Sequence, residues 1–288
     1  MPSPSDVINQ DNTERRPVAV MHGMETSDGA GVNLVRVIGT PTVPQVDPFL
    51  MLDHFSSDDP DDYIAGFPEH PHRGFEAVTY LLAGHMRHRD SAGHEGVIES
   101  GGIQWMTAGR GIIHSEMPEQ EQGLLSGFQL WVNLPASHKM IAPRYQELGA
   151  AAIPVEQRGD DVTLRVIAGT TEQGTQGPIR DLFTDVIYFD VTLDNDAAFS
   201  EPLPGDYNAL LYAIEGKIVI GDSVAEADQL VLLGAGDRLT VRGHGPHSRF
   251  LLLAGQPLRE PVARGGPFVM NTDEEIQQAF RDYRSGRF

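Results

Sequence analysis

The chain has 288 residues, with 41 acidic and 21 basic side chains that give a formal charge of −20 at neutral pH. This excess of negative charge repels phosphate groups and argues against direct binding of nucleic acid. There are no cysteines, which excludes disulfides, thiolate metal ligands and cysteine nucleophiles. The 31 glycines and 20 prolines favour short strands joined by tight turns over a helical bundle.

The N-terminal residues 1–14 are polar and are expected to form a disordered tail. They contain no apolar stretch of the kind found in secretory signals. No segment of the chain approaches eighteen consecutive apolar residues, so no membrane span and no membrane partner are expected. The sequence therefore predicts a cytoplasmic protein.

Short apolar runs bounded by turn residues begin near residue 18 and continue for more than 200 residues. In 32–38 apolar and polar side chains alternate in part, as in a half-buried strand. This spacing predicts an all-β sandwich or barrel fold. The predicted strands are 18–21, 32–38, 77–82, 102–106, 128–132, 164–167, 186–193, 209–214, 229–233 and 249–253.

A weak internal repeat predicts two barrels. The segments LLAG at 81–84 and AGRG at 108–111 recur as AIEG at 213–216 and AGDR at 235–238. His70 and His72 precede Gly84 by 14 and 12 residues, and the same offsets before Gly216 fall on Pro202 and Pro204. Proline cannot ligate a metal, so the second barrel is expected to be metal-free. The expected domains are a first barrel at 15–150 and a second at 151–265.

The last segment, 266–288, is expected to contain one helix that packs on a barrel. Thr272 and Glu275 have the spacing of a capping box. Ile276, Ala279, Phe280 and Tyr283 follow at helical spacing on one face.

Two short segments carry the candidate metal ligands. His70 and His72, and likewise His114 and Glu116, are separated by two positions, so in a strand each pair points to one face. Two such strands facing each other would bring three imidazoles and one carboxylate together. This donor set suits Fe, Mn, Co, Ni, Cu or Zn and disfavours Ca and Mg. Open coordination positions on such a metal would permit catalysis.

Glu76 is a rival ligand, since an unbroken strand from His72 would turn it towards the same face. Gly74 could bend that strand and remove Glu76 from the metal. We therefore favour Glu116 as the ligand and expect Glu76 to orient an imidazole or to hold a nearby loop. His85, His88 and His94 are expected in a charged, exposed loop, where one of them could line the mouth of a pocket.

Long contiguous motifs resemble those of the pirin family, a branch of the cupin superfamily. The resemblance runs from about residue 28 to residue 288. It is carried by GFPEHPHRGFEAVTYLLAGHMRHRDSAGHEGV at 66–97, QWMTAGRGIIHSEMPE at 104–119, GFQLWVNLP at 127–135 and GPFVMNTDEEIQQAFRDYRSGRF at 266–288.

The resemblance implies a bicupin, with two antiparallel β-barrels and a metal in the N-terminal one. The family's ligand positions fall on His70, His72, His114 and Glu116, and the metal it implies is Fe(II). The family also implies a metal-free second barrel. Asp53 and His54 resemble a further motif element that could contact the ligands. Other side chains in or beside the motif strands could line a substrate pocket: Phe75, Trp105, Met106, Met117, Phe128 and Trp131.

Two functions follow from the resemblance. Some pirins resemble quercetin 2,3-dioxygenases, which cleave a flavonol with dioxygen and release carbon monoxide. In that reaction Glu116 would act as the general base for a small aromatic substrate. Other pirins are metal-dependent regulators that bind a transcription factor or a metabolic enzyme. The sequence identifies neither the protein partner nor the oligomeric state.

Overall fold

The structure is a computed structural model and describes residues 13–288. These residues form 24 strands, one α-helix and three short 3-10 helices. The first twelve strands are β1 (Pro17–His22), β2 (Met24–Asp28), β3 (Val32–Ile38), β4 (Phe49–Ser57), β5 (Phe67–His72), β6 (Phe75–Ala83), β7 (His85–Asp90), β8 (Glu95–Glu99), β9 (Ile103–Thr107), β10 (Ile112–Pro118), β11 (Leu125–Asn133) and β12 (Arg144–Leu148).

The remaining strands and the helices complete the chain. The strands are β13 (Val155–Gln157), β14 (Val162–Ala168), β15 (Val186–Asp194), β16 (Ala198–Pro202), β17 (Asn208–Glu215), β18 (Lys217–Ile220), β19 (Ser223–Glu226), β20 (Gln229–Leu233), β21 (Arg238–Gly243), β22 (His247–Gly255), β23 (Ala263–Gly265) and β24 (Phe268–Met270). The α-helix is α1 (Asp273–Arg284), and the 3-10 helices are Pro60–Asp62, Ala136–His138 and Ala150–Ala152.

Each half of the molecule is a seven-stranded sheet packed on a four-stranded sheet. In the first half the orders are β12-β9-β6-β11-β4-β3-β2 and β5-β10-β7-β8. Their inner faces meet through apolar side chains such as Phe55 and Leu81 on one side and Met86 and Ile98 on the other. In the second half the orders are β1-β20-β17-β22-β15-β14-β13 and β16-β21-β18-β19. The predicted all-β, cupin-type fold with a C-terminal helix is confirmed.

The two seven-stranded sheets pack back to back and form the largest core. Val78 and Leu130 of the first half meet Leu210 and Leu251 of the second in this layer. Strands β6 and β11 are thus buried on both faces, because their alternate side chains point into the first half. This parity decides which predicted site residues face into the first half.

Strand β1 belongs to the second half, although the sequence predicted it in the first barrel. It pairs antiparallel with β20, so 17–22 extend the large sheet of the second half. Thr13 and Glu14, expected in the disordered tail, are also held there. Glu14 forms an isolated parallel β-bridge with Arg238, and the Asp237 amide donates to the Thr13 carbonyl at 2.9 Å. The edge of β20 explains the position of β1, because the backbone groups at a sheet edge accept a further strand. Residues 1–12 lie outside the described residues.

The predicted strands and helix are present. Each predicted strand overlaps a strand of the structure, with Gly102 lying just before β9. The capping box of α1 is confirmed: Thr272 Oγ1 accepts from the Glu275 amide, and Glu275 Oε2 accepts from the Thr272 amide at 3.0 Å. Ile276 and Ala279 bury the inner face of the helix against Phe268. Among residues 13–288, no helix is long and apolar enough to cross a membrane.

Lys139 is a buried cation near the C-terminal segment. Its Nζ donates to the carbonyls of Gly74 (2.7 Å) and Val269 (3.1 Å) and to Asn133 Oδ1 (2.6 Å). Burial lowers the pKa of Lys139 from 10.5 to about 8. Between these values the unfolded chain binds more protons than the folded chain, so the free energy of unfolding rises with pH.

We expect the variant Lys139→Met to remove this pH dependence. Below pH 8 the ammonium is charged in both states, and its burial costs roughly 3 kcal/mol. Raising the pH from 7 to 9.5 should stabilise the wild type by roughly 2 kcal/mol more than the variant. Urea unfolding of both proteins at the two pH values measures the difference. If the free energy of unfolding changed equally with pH in the wild type and the variant, the pKa of Lys139 would not be lowered.

Candidate metal centre

Strands β5 and β10 bring three histidines together inside the first half. In their antiparallel pairing His114 lies opposite His70, and Ile112 lies opposite His72. One ring nitrogen from each of the three histidines lies within 4.8 Å of the other two. The Nε2 atoms of His70 and His72 are 2.9 Å apart. The same-face spacing expected for these three residues is therefore present.

The chemistry of the cluster fits a metal ion. Burial, followed by the neighbouring His70, lowers the pKa of His72 well below its usual range. Burial, followed by the neighbouring His72 and His70, does the same to the pKa of His114. Both rings are thus neutral at pH 7 and offer lone pairs, which is the ligand form of imidazole.

The hydrogen bonding of His70 and His114 is compatible with metal binding. His70 Nδ1 lies 2.8 Å from the Pro68 carbonyl, and this bond leaves the lone pair of the neutral ring on Nε2. His114 is 1% exposed, and neither of its ring nitrogens has a hydrogen-bond partner within residues 13–288. A buried polar atom without a partner is costly, and a transition-metal ion would satisfy it.

Glu116 lies beside the imidazole cluster rather than within its 4.8 Å limit. The pairing of β5 and β10 is irregular between His114 and Glu116. The carboxylate is buried, and Oε1 accepts from Thr79 Oγ1 at 2.8 Å. Thr79 Oγ1 is also 2.7 Å from Gln129 Oε1, a second acceptor. Since a hydroxyl has one proton, Thr79 donates to either Glu116 or Gln129 at one time.

A cavity of about 650 Å³ opens beside the cluster. His70, His72 and Glu116 line its polar end, together with Thr79 and Gln129. Most of the remaining wall is apolar, and its large apolar side chains are Leu34, Met51, Phe55, Phe67, Met86 and Trp131. A largely apolar cavity with a few convergent polar groups is typical of a site for a small organic ligand.

Four of the predicted neighbours lie on the cavity side of the large sheet. Phe75 stacks on Trp131 at 4.1 Å between ring centroids, and the two rings approach His72 at 5.1 and 5.2 Å. Met106 packs in the same cluster as Phe75. Asp53 lines the cavity, where Arg36 donates to both of its oxygens at 2.9 and 2.7 Å.

Four other predicted neighbours lie on the opposite face, so assigning them to the metal pocket is wrong. Trp105 and Phe128 belong to the core between the two large sheets. His54 stacks on Phe128 at 4.6 Å, and its Nδ1 lies 3.0 Å from the Tyr212 hydroxyl of the second half. Glu76 accepts from Thr107 Oγ1 at 2.6 Å.

The reversal at Glu76 has a local cause. Gly74 has φ of +89° between β5 and β6, so the alternation that starts at His72 does not continue to Glu76. In β6 the odd positions 77, 79 and 81 face into the first half, while Val78 and Tyr80 face the second half. Glu76 shares the parity of Val78 and therefore points away from the cluster. The prediction that Glu76 orients an imidazole is wrong.

Thr79 and Gln129 were not predicted as site residues, and the prediction of His88 in an exposed loop is wrong. His88 lies in β7 opposite Glu116, is buried, and forms a short hydrogen bond with Glu147. Burial alternates along β7, with positions 86, 88 and 90 buried. Met86 could have indicated this strand, because a single apolar residue among charged residues is typical of the buried face of a strand.

Comparisons with known proteins identify the family of the chain. The Pirin family model matches residues 31–132, and the model of the pirin C-terminal cupin domain matches residues 188–288. A pirin-like protein of Caulobacter vibrioides is 55% identical over 95% of this chain and 99% of its own length. A Pseudomonas aeruginosa protein provisionally named quercetin 2,3-dioxygenase is 47% identical over 95% of this chain and 98% of its own length.

A solved structure extends the comparison to three dimensions. The crystal structure of a quercetin 2,3-dioxygenase from Acinetobacter baumannii superposes with a TM-score of 0.88 and 32% identity. The match covers 96% of this chain and 98% of that chain. From its motifs, its fold and these matches, the chain belongs to the pirin family.

Proposed function

We propose that this pirin is a metal-dependent dioxygenase of the quercetin 2,3-dioxygenase type, which cleaves a flavonol-like aromatic with O2. The observation that carries the proposal is the three-imidazole cluster, with His72 and His114 buried, that opens beside Glu116 onto a largely apolar cavity. The names of the Pseudomonas and Acinetobacter proteins support the same reaction class.

His70, His72, His114 and Glu116 are the residues we assign to the metal. Fe(II) is the first choice, and Mn, Co, Ni, Cu or Zn would suit the same donors. When bound, the ion supplies Lewis-acid activation of the flavonol 3-hydroxyl and of dioxygen. A bound ion would also satisfy the buried ring nitrogens of His114, which have no hydrogen-bond partner among the described residues.

Glu116 is the group we assign as general base. Its carboxylate lines the cavity and, when it partly leaves the metal, would accept the proton of the 3-hydroxyl, which makes the flavonol electron-rich. Thr79 holds the carboxylate in place through its 2.8 Å hydrogen bond to Oε1. A base held in this way needs little reorganisation during the proton transfer.

The apolar wall supplies binding and keeps bulk water away from the reacting ring. Trp131 is held by Phe75 and by the edge of His72, so one wall of the cavity is rigid beside the imidazoles. Phe55 and Phe67 offer aromatic surface to a planar substrate. The overall reaction converts a flavonol and O2 into an ester product and carbon monoxide, and no other reductant is required.

Aerobic incubation with quercetin tests the proposal. The protein is stripped of metal, reloaded separately with Fe(II), Mn, Co, Ni, Cu and Zn, and mixed with quercetin. We expect loss of the flavonol absorbance and release of carbon monoxide with at least one metal, and no reaction in the stripped control. Absence of turnover with every metal would contradict the enzyme assignment and favour the regulatory function, in which the protein binds a transcription factor or a metabolic enzyme. Metal analysis of protein purified without added metal identifies the resident ion.

A further inference from the structure

Arg73, the residue that follows His72, is bound by the C-terminal helix. Arg73 is 3% exposed, and its Nη1 donates to Asp282 Oδ2 of α1 at 2.9 Å. The guanidinium carbon lies 4.4 Å from the centroid of the Phe288 ring, and Nε donates to the Arg110 carbonyl. A buried guanidinium with one carboxylate partner is strongly dependent on that partner.

The backbone at this point is also tied to the C-terminal segment. The Val269 amide of β24 donates to the Arg73 carbonyl at 3.0 Å. Lys139 Nζ donates hydrogen bonds to both the Gly74 and the Val269 carbonyl. A Cβ at Gly74 would lie 1.9 Å from the Val269 carbonyl oxygen, so only glycine permits this close approach.

Asp282 is itself held rigidly. Gln278, one turn earlier on α1, donates from Nε2 to Asp282 Oδ1 at 2.7 Å, while Oδ2 receives Arg73. The helix is docked through Ile276 and Ala279. A fixed chain of contacts thus runs from the helix core to the residue next to a metal ligand.

We infer that the C-terminal segment 263–288 is a structural part of the metal centre, in which Asp282 is a positioning residue that acts on His72 through Arg73. The inference rests on the proposed metal site. Loss of the Asp282 charge leaves the Arg73 guanidinium buried and unpaired, which shifts the end of β5 and places an uncompensated cation beside the ligands. Partners beyond the ligands themselves typically change metal affinity by about 10- to 100-fold.

The test compares Asp282→Asn with Glu274→Gln, which removes one charge from an exposed position of the same helix. Co(II) is the probe. Its dissociation constant is measured by chelator competition, and its visible absorption spectrum reports the ligand geometry. We expect D282N to bind Co(II) about tenfold more weakly and with an altered spectrum. E274Q should match the wild type.

The outcomes separate this inference from the proposed metal centre. Wild-type protein that binds no Co(II) would overturn the metal centre and this inference together. A folded D282N with wild-type affinity and spectrum would overturn the inference alone, even if its melting temperature fell. Should D282N not fold, the double variant Arg73→Met, Asp282→Asn removes the ion pair without leaving a buried unpaired charge. A Co(II) affinity and spectrum of this variant equal to those of the wild type would then overturn the inference.

Discussion

Replacing His114 with glutamine is expected to abolish metal binding and flavonol turnover together. His114 is the most buried of the three imidazoles, and neither ring nitrogen has another partner among the described residues. Glutamine has a similar volume, so the packing is largely kept while a strong nitrogen ligand is lost. We expect metal affinity to fall by more than about 100-fold, since the ligand itself is removed rather than a group that supports it.

The matched control is His22→Gln, which alters an exposed histidine in β1 on the second half. It should retain stoichiometric metal and full turnover. Metal content by elemental analysis and quercetin consumption are measured on both variants. An H114Q protein that keeps one tightly bound metal per chain would remove His114 from the ligand set.

Replacing Glu116 with glutamine is expected to lower the turnover rate about 100-fold or more, which is the usual contribution of a general base. The amide keeps the size of the side chain and can still contact Thr79, but it cannot accept the proton of the 3-hydroxyl. Metal binding should weaken less than in H114Q, because three imidazoles remain. Single-turnover kinetics with pre-bound quercetin measure the chemical step separately from metal loading.

Glu76→Gln is the matched control for Glu116, since Glu76 is the rival carboxylate. Burial raises the pKa of Glu76, and its hydrogen bond from Thr107 lies on the far face of the sheet. E76Q should therefore keep both metal and turnover. If E116Q retained metal and full activity, Glu116 would not be the base. If E76Q lost metal, the assignment of faces would be in error.

Local patterns in the sequence were sufficient for the fold class and for the imidazole cluster. The two-residue spacing of His70 and His72 predicts a shared face wherever the strand is regular, and β5 is regular there. The capping box at Thr272 needs only four residues to define the start of a helix. Both features depend on neighbours in the chain and on no distant contact.

Features that depend on tertiary contacts could not be read in the same way. Strands β6 and β11 are buried on both faces, so Val78 and Thr79 gave no alternation that would distinguish cavity from core. For that reason Phe128 and Trp131 looked equivalent, although they point in opposite directions. The partner of β1 was likewise hidden, because strand pairing with β20 spans about 200 residues.

The most direct test of the central claim is anomalous diffraction from crystals of the fully metal-loaded protein. The account predicts one peak in the first half, within about 2.2 Å of a ring nitrogen from each of His70, His72 and His114 and close to a carboxylate oxygen of Glu116. A well-ordered, fully loaded crystal in which any of these side chains faces solvent, or in which the peak lies elsewhere, would contradict it.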